Sequence, residues 1–199
     1  MKEFLIERLN HFERNDFMPG EHLKEAFIIF FGWTIPTSLF VIWANNFHPE
    51  VHFYQEAIGE GRGPNLWNTI GSFGLFAFGI AIIFSRFTTP SLVARQILLN
   101  TYAIGCLTLG LQIGQLCVLL SSHEWIWWQK GLFGITSSLL LVVLFTFNSV
   151  FWYLSFLIKN DDKNKSNFLV KLEQMHWIWK FVIGFFLMTL ISSIFLSET

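Results

Sequence analysis

Charged residues along this chain are spaced so that they leave five long apolar runs. Between Glu25 and Glu50 lie 24 residues without a formal charge, between Arg62 and Arg86 23, between Arg95 and Glu124 28, and between Lys130 and Lys159 another 28. A fifth run, Phe181–Ser197, has 17. A helix that crosses a bilayer needs about 20 mostly apolar residues at about 1.5 Å rise each. Four runs qualify outright. The fifth qualifies with Lys180 snorkelling to the interface and Trp177 and Trp179 at headgroup level. None of the runs alternates with a period of two, as a barrel strand does. The pattern therefore predicts an all-α polytopic membrane helix bundle with five transmembrane helices, over residues 26–46, 65–85, 96–120, 131–157 and 178–197. Ahead of them, within residues 1–25, Leu5, Leu9 and Phe12 stand at i, i+4, i+7 and predict a short N-terminal interfacial helix, ended by Met18-Pro19-Gly20. The stretch 159–175 reads as a solvated turn with an interfacial segment at Phe168–Leu172.

Composition reinforces this class. Hydrophobic residues make up 53%, aromatics 18% and charged residues 14% of 199, against about 25% charged in an ordinary globular chain. One soluble core of this size cannot hide so much apolar surface, and so many aromatics exclude disorder. A net charge of −1 leaves no electrostatic footprint for nucleic acid. Lys and Arg then set the orientation. With five spans, Lys2, Arg8, Arg14, Lys24, Arg86, Arg95, Lys159, Lys163, Lys165, Lys171 and Lys180 share one side, and only Arg62 and Lys130 lie on the other. The positive-inside rule places the N-terminus in the cytoplasm (or matrix) and the C-terminus outside, in a bacterial or mitochondrial inner membrane. Most of the Trp residues fall near span ends, as an aromatic belt requires, whereas Trp33 and Trp152 read as packing residues. Residues 1–25 are charged and lack the apolar core of a secretory leader.

Candidate chemistry is sparse. Cys106 and Cys117 share a helix face but stand about 16 Å apart along it, so they cannot pair and read as small buried hydrophobes. The histidines His48, His52, His123 and His176 sit at span ends, which disfavours a haem held at mid-membrane depth. His48 and His52, at i, i+4, with His123 on the same outer side, are weak candidates for a metal site. Their spacing lacks the Glu that directly follows the first His in zinc proteases. No formal charge lies deep in a span, which counts against a pump or an ion-coupled transporter. The polar residues inside are Asn68, Asn100, Gln112, Gln115, Thr136, Ser137, Ser138 and Asn148, suited to hydrogen bonds between helices. Gly71, Gly74 and Gly79, and Gly105, Gly110 and Gly114, read as small-residue packing faces. No nucleophile–base pair and no phosphate-binding glycine loop stands out.

The run Gly105-Cys-Leu-Thr-Leu-Gly110-Leu-Gln112-Ile-Gly114-Gln115 resembles the Gly-x-x-Phe-x-Gly-x-Gln-x-x-Glu run of subunit III of the haem–copper respiratory oxidases, in its five-span bacterial form. Gly131-Leu-Phe133-Gly134-Ile-Thr136-Ser137 is similar to that family's Gly-Phe-His-Gly-Leu-His-Val, and Met175-His176 to the Trp-His that opens its last span. Gln115 stands where the family has an acid, Phe133 and Thr136 where it has histidines, and Trp179 where it has Asp. Ile35-Pro36-Thr37-Ser38 lacks its buried carboxylate. The layout extends from Leu23 to Phe195, and each departure puts a neutral group in place of an ionisable one.

The resemblance implies a subunit without haem, metal or other cofactor that packs on a haem-containing catalytic subunit. It implies lipid in a cleft between the first two helices and the rest, with headgroups at Arg86 and Arg95. Gly105, Gly110, Gln112, Gly114, Gln115, Gly131, Gly134 and His176 are then the packing and subunit-contact positions. Expected partners are membrane lipids and other integral-membrane subunits, with no nucleic acid. Two other readings stand beside this one. The first is a small homo-oligomeric effector or pore, in stress or phage defence, with Asn100, Gln112, Gln115 and Asn148 along a polar seam. The second is an outer-face metalloenzyme built on His48, His52 and His123.

Overall fold

The computed structural model describes residues 17–48, 62–122, 125–161 and 164–196. These form six α-helices: α1 Leu23–Phe47, α2 Arg62–Ile83, α3 Thr88–Ser122, α4 Trp127–Leu157, α5 Asn167–Gln174 and α6 Trp177–Leu196. A 3-10 turn, Gly20–His22, leads into α1. Between α4 and α5 two strands of two residues each, β1 (Asn160–Asp161) and β2 (Asn164–Lys165), pair antiparallel with Asn160 opposite Lys165. The helical class is the one the charge-free runs predict. Leu23–Phe47, Thr88–Ser121 and Trp127–Leu157 are long and apolar enough to cross a membrane, and the apolar stretches Thr69–Ile83 and Trp177–Thr189 are shorter. Many of the largest apolar side chains, Ile28, Phe47, Trp127 and Leu139 among them, face outward.

Several boundaries differ from the sequence expectation, each for a local reason. The third helix starts at Thr88, eight residues before the expected 96. Pro90 sits in its first turn, where a missing N–H costs nothing because that donor has no partner inside the helix. The connection before it is a tight turn closed by Phe87 N donating to Phe84 O at 2.9 Å. The segment expected at Phe168–Leu172 is the helix α5, capped by Ser166, whose Oγ accepts from Leu169 N. It buries Leu169 and Leu172 three residues apart. Trp33, expected inside, is 47% exposed, whereas Trp152 is buried as expected. The amphipathic segment expected around Leu5, Leu9 and Phe12 lies outside the described residues.

The chain forms two compact units. One gathers Met1–Leu23, Ile70–Leu99 and Phe151–Thr199. It brings together three segments that the charge count places on one side: the flank of α1, the α2–α3 turn and the stretch from α4 to α6. Tyr153 Oη donates to Phe17 O at 3.1 Å, Lys159 Nζ lies 3.5 Å from His22 Nδ1, and Asn160 Nδ2 donates to Ser91 Oγ at 3.0 Å. The Phe17 and Phe168 rings stand 5.7 Å apart. The second half of α2 runs antiparallel to α6, since Gly79 meets Met188 while Ile83, further along, meets Gly184. A Cβ on Gly184 would stand 2.8 Å from Gly79 O and 2.5 Å from Ile83 Cγ1, so the two backbones touch. Below that contact Lys180 is 3% exposed. It does not snorkel outward as expected: its ammonium donates to Ser85 Oγ at 3.0 Å and to Glu173 O at 3.1 Å.

The other unit holds Lys24–Thr69 and Asn100–Val150. Here α1 and α3 run parallel, because Tyr102 reaches Ala26 at one end and Gly114 meets Val41 at the other. Helices α3 and α4 run antiparallel, with Tyr102 beside Asn148 and Leu120 beside Gly134. Val41, Ala44 and Leu111 form a small apolar cluster within this unit.

The α2–α6 contact yields a direct prediction. Gly184→Leu forces a side chain into backbone and is expected to cost about 1–3 kcal/mol of stability, typical of overpacking. Denaturation in mixed micelles measures the loss, and Gly131→Leu, at a position with nothing within 4 Å, is expected to change stability little.

Candidate functional site

The polar seam of the second unit starts from two hydroxyl residues one helical turn apart on α1. Thr34 Oγ1 donates to Cys106 O at 3.1 Å. Ser38 Oγ lies 2.9 Å from Gly110 O and 2.7 Å from Thr34 O, so its single proton serves one or the other. The acceptors on α3 are open because Gly110 and Gly114 lack side chains. A Cβ on Gly110 would stand 2.6 Å from Thr34 O and would also collide with Thr37, and one on Gly114 would stand 2.7 Å from Ser38 O. Four-residue spacing on both helices (Thr34 and Ser38, Cys106 and Gly110 and Gly114) keeps the two faces in register. Pro36, inside α1, removes one backbone donor within this region. Such a break is tolerated where neighbouring hydroxyls and helices supply polar partners.

On the other side of α3 the same logic is met by an amide. Asn148, 2% exposed, donates through Nδ2 to Tyr102 O at 3.0 Å and approaches Cys106 Sγ at 3.4 Å. Its Oδ1 accepts from Trp67 Nε1 at 3.2 Å. Asn148 occupies the volume that a side chain at Gly105 would need. Three helices are thus tied at one amide, which suits the Asn role expected from sequence. Among the described residues no buried side-chain nitrogen or oxygen lacks a hydrogen bond.

Gln112 and Gln115 behave differently. Both are half-buried and line a recess of about 270 Å³ with Leu116, Phe133, Ser137 and Leu141. Neither amide has a hydrogen-bond partner among the described residues. Thr136, expected to bridge helices, is exposed and bonds only to Leu132 O and Phe133 O of its own helix. Gly131 has nothing within 4 Å, and a Cβ on Gly134 would meet only Leu120 at 3.8 Å, so neither is a close-contact position. Gly105, Gly110 and Gly114 are. Cys106 is buried and Cys117 exposed, although they share a helix face, because the neighbouring helices cover that face only along part of its length.

The remaining candidates lie elsewhere. Arg86 and His176 line one recess of the first unit together with Lys180, and Arg95 is not part of that lining. His48 is exposed beside Trp43, with ring centroids 5.3 Å apart, whereas His52 and His123 lie outside the described residues. Among the described residues no three His, Cys, Asp or Glu groups gather as metal ligands. Sequence reading missed Thr34, Ser38 and Tyr102. The usable signal was the i, i+4 hydroxyl pair on one helix and the i, i+4 glycine pair on another. Compared with protein-family models, curated proteins and solved structures, the chain matches none.

Asn148→Ala removes the shared acceptor and donor and leaves Trp67 Nε1 without that partner. The expected cost is about 0.6–2 kcal/mol, the range for polar contacts between membrane helices, seen as a lower unfolding midpoint. Thr136→Ala, which removes only a bond within one helix, is expected to leave that midpoint unchanged.

Proposed function

We propose that this chain is a non-catalytic integral-membrane subunit that crosses the bilayer five times and packs on other membrane-spanning subunits, in an assembly of the respiratory haem–copper oxidase type. The observation that carries this reading is the pair Gln112 and Gln115. Thr34, Ser38, Tyr102 and Asn148 are engaged in contacts between the chain's own helices, whereas these two amides line an open recess with no hydrogen-bond partner among the described residues. An amide left unpaired in an apolar surrounding costs about 1–3 kcal/mol. A second chain's helix, offering a polar group at that level, relieves the cost.

Five crossings are supported by length and by direction. At about 1.5 Å per residue the whole of α2 and of α6 extends about 33 and 30 Å, near the hydrocarbon thickness of about 30 Å, with the apolar stretches Thr69–Ile83 and Trp177–Thr189 forming the greater part of each. The parallel α1–α3 pair and the antiparallel α3–α4 and α2–α6 pairs are the directions that alternate crossing requires. The gathering of the α1 flank, the α2–α3 turn and the stretch before α6 fits a common side, the one that carries eleven of the thirteen Lys and Arg residues. The positive-inside rule makes that side cytoplasmic.

The haem-containing partner is supported by the likeness to subunit III alone. Gly105 and Gly110 of the similar run are contact positions here, so the packing part of that motif is retained. Gln115, Phe133 and Thr136, neutral where that family is ionisable, suit a subunit without a proton-transfer role. Lipid belongs to the same reading, held on the positively charged side.

Two experiments test this. An alkaline phosphatase reporter joined after Thr199 is expected to be active and one joined after Lys163 inactive; activity at both or neither removes the fifth crossing. Purification from native membranes in mild detergent is expected to bring down a haem-absorbing partner at fixed stoichiometry. The Gln112→Leu/Gln115→Leu double variant is expected to lose at least fivefold of that partner while keeping its unfolding midpoint. A self-assembled ring of this chain without a partner overturns the subunit reading.

A further inference from the structure

We propose that the groove between α3 and α4 seats a membrane-spanning helix of another chain, and that this helix meets Gln112 and Gln115 with side-chain amides of its own. The assignment rests on the subunit reading above and gives the partner's contact helix a chemistry. The recess of about 270 Å³ at the two glutamines is one part of the groove. A smaller recess, of about 80 Å³, shares Gln112 and continues the groove to Gly105 and Asn148. Trp67 of α2 lines that end, whereas residues of α3 and α4 alone line the other. The chain's own bundle thus covers the groove at one end and leaves it open at the other. All of these residues belong to the second compact unit.

Spacing identifies the occupant as a helix. On α3 the groove carries Thr108, Gln112, Gln115 and Leu119, at intervals of four, three and four. On α4 it carries Phe133, Ser137, Leu140 and Leu144, at the same intervals. Alternating threes and fours form the seam of left-handed helix packing, in which a further helix lies along both at about 20° and about 8–10 Å. The opposite face of α3 is of another kind, because Gly110 and Gly114 there let the backbone of α1 touch. Side chains line the groove seam instead, so its occupant packs by side chains and not by a glycine face.

Hydrogen bonding selects the side chains that helix must bring. Gln112, Gln115 and Ser137 have no hydrogen-bond partner among the described residues, whereas Thr108 gives its hydroxyl to Ile104 O of its own helix at 3.0 Å. Each glutamine amide offers N–H donors and a carbonyl acceptor. A carboxylate returns acceptors only and an ammonium donors only, and each carries a charge into an apolar groove that no charged residue lines. A hydroxyl has one proton for two glutamine carbonyls. An Asn or Gln returns donor and acceptor together, so an amide–amide pair closes two hydrogen bonds at once. A second copy of this chain carries such amides, but they line a recess. Two recesses face to face enclose a void, so a protruding helix of a different chain is favoured.

The test measures energy transfer between the labelled full chain and labelled synthetic membrane-spanning peptides, dilute in phosphatidylcholine vesicles. The peptides are Leu-rich helices that differ only in carrying an Asn pair three residues apart, a Gly-x-x-x-Gly, or Leu at those positions. Wild type is expected to bind the Asn peptide about tenfold more tightly than either of the others. Gln112→Leu/Gln115→Leu is expected to lose that preference at an unchanged unfolding midpoint, and Thr136→Ala, outside the groove, to keep it. Equal binding of the Asn and Leu peptides, preference for the Gly peptide, or a double variant that binds like wild type overturns the proposal. Energy transfer between two labelled copies of the chain that disappears in the double variant assigns the groove to a second copy and also overturns it. An Asn preference in a chain that brings down no haem-absorbing partner removes the oxidase reading and leaves this docking standing. A haem-absorbing partner held by a chain without the Asn preference removes this docking alone.

Discussion

A side-chain amide buried among apolar helices must have both its ends satisfied, and Asn148 meets that demand with three helices at once. Its Nδ2 reaches the Tyr102 carbonyl and its Oδ1 receives the Trp67 indole proton. The same requirement sets the glycine at 105, because the amide needs the volume that a side chain there would fill. It also fixes the rotation of α3, whose opposite face must then meet α1 through Cys106, Gly110 and Gly114. Leucine at 148 would fill the space but would satisfy neither the indole nor the carbonyl. In a low-dielectric interior that difference decides specificity more than it decides total stability.

The glycine contacts extend this logic into the other unit. In water, apolar surface drives helices together; in hydrocarbon that drive is absent, and close backbone approach has to supply the attraction. Gly79 against Gly184, like Gly110 against Thr34, brings backbone to backbone. The outward faces of the same helices carry Phe, Trp, Ile and Leu, such as Phe185 and Phe186 on α6. The interior holds Phe78, Ile82, Leu98 and Trp152 beside its small and polar residues, and large apolar side chains on the outside as well are what helices that face lipid carry.

Much of the architecture was legible before any coordinates. Charge-free runs announced each long helix, and segments that flank those runs meet through Tyr153, Asn160 and Lys180. The packing role of Gly105, Gly110 and Gly114 was legible from residue type, whereas Gly131 and Gly134, named by the resemblance alone, make no close contact within the described chain. Lys180 was expected to reach outward, as lysines near span ends do, yet Ser85 and a carbonyl hold it inside. Pro90 hid the true start of α3, because a proline reads as a break unless its place in the first turn is known.

What the sequence determined by itself was the class of elements, apolar helices of which three are long enough to cross a membrane. That follows from where charge is absent, and the cost of putting charge in an apolar phase is large enough to override every weaker preference. What only the tertiary structure decided was which groups meet. When a helix is apolar on all sides, periodicity no longer marks the face that packs, so Cys106 and Cys117, or Gly114 and Gly131, look equivalent along the chain. Their difference arises from neighbours far away in sequence: Thr34 and Ser38 on one helix, Asn148 on another. The basic recess has the same origin, for Arg86 and Lys180 are 94 positions apart until α2 and α6 close on their glycines.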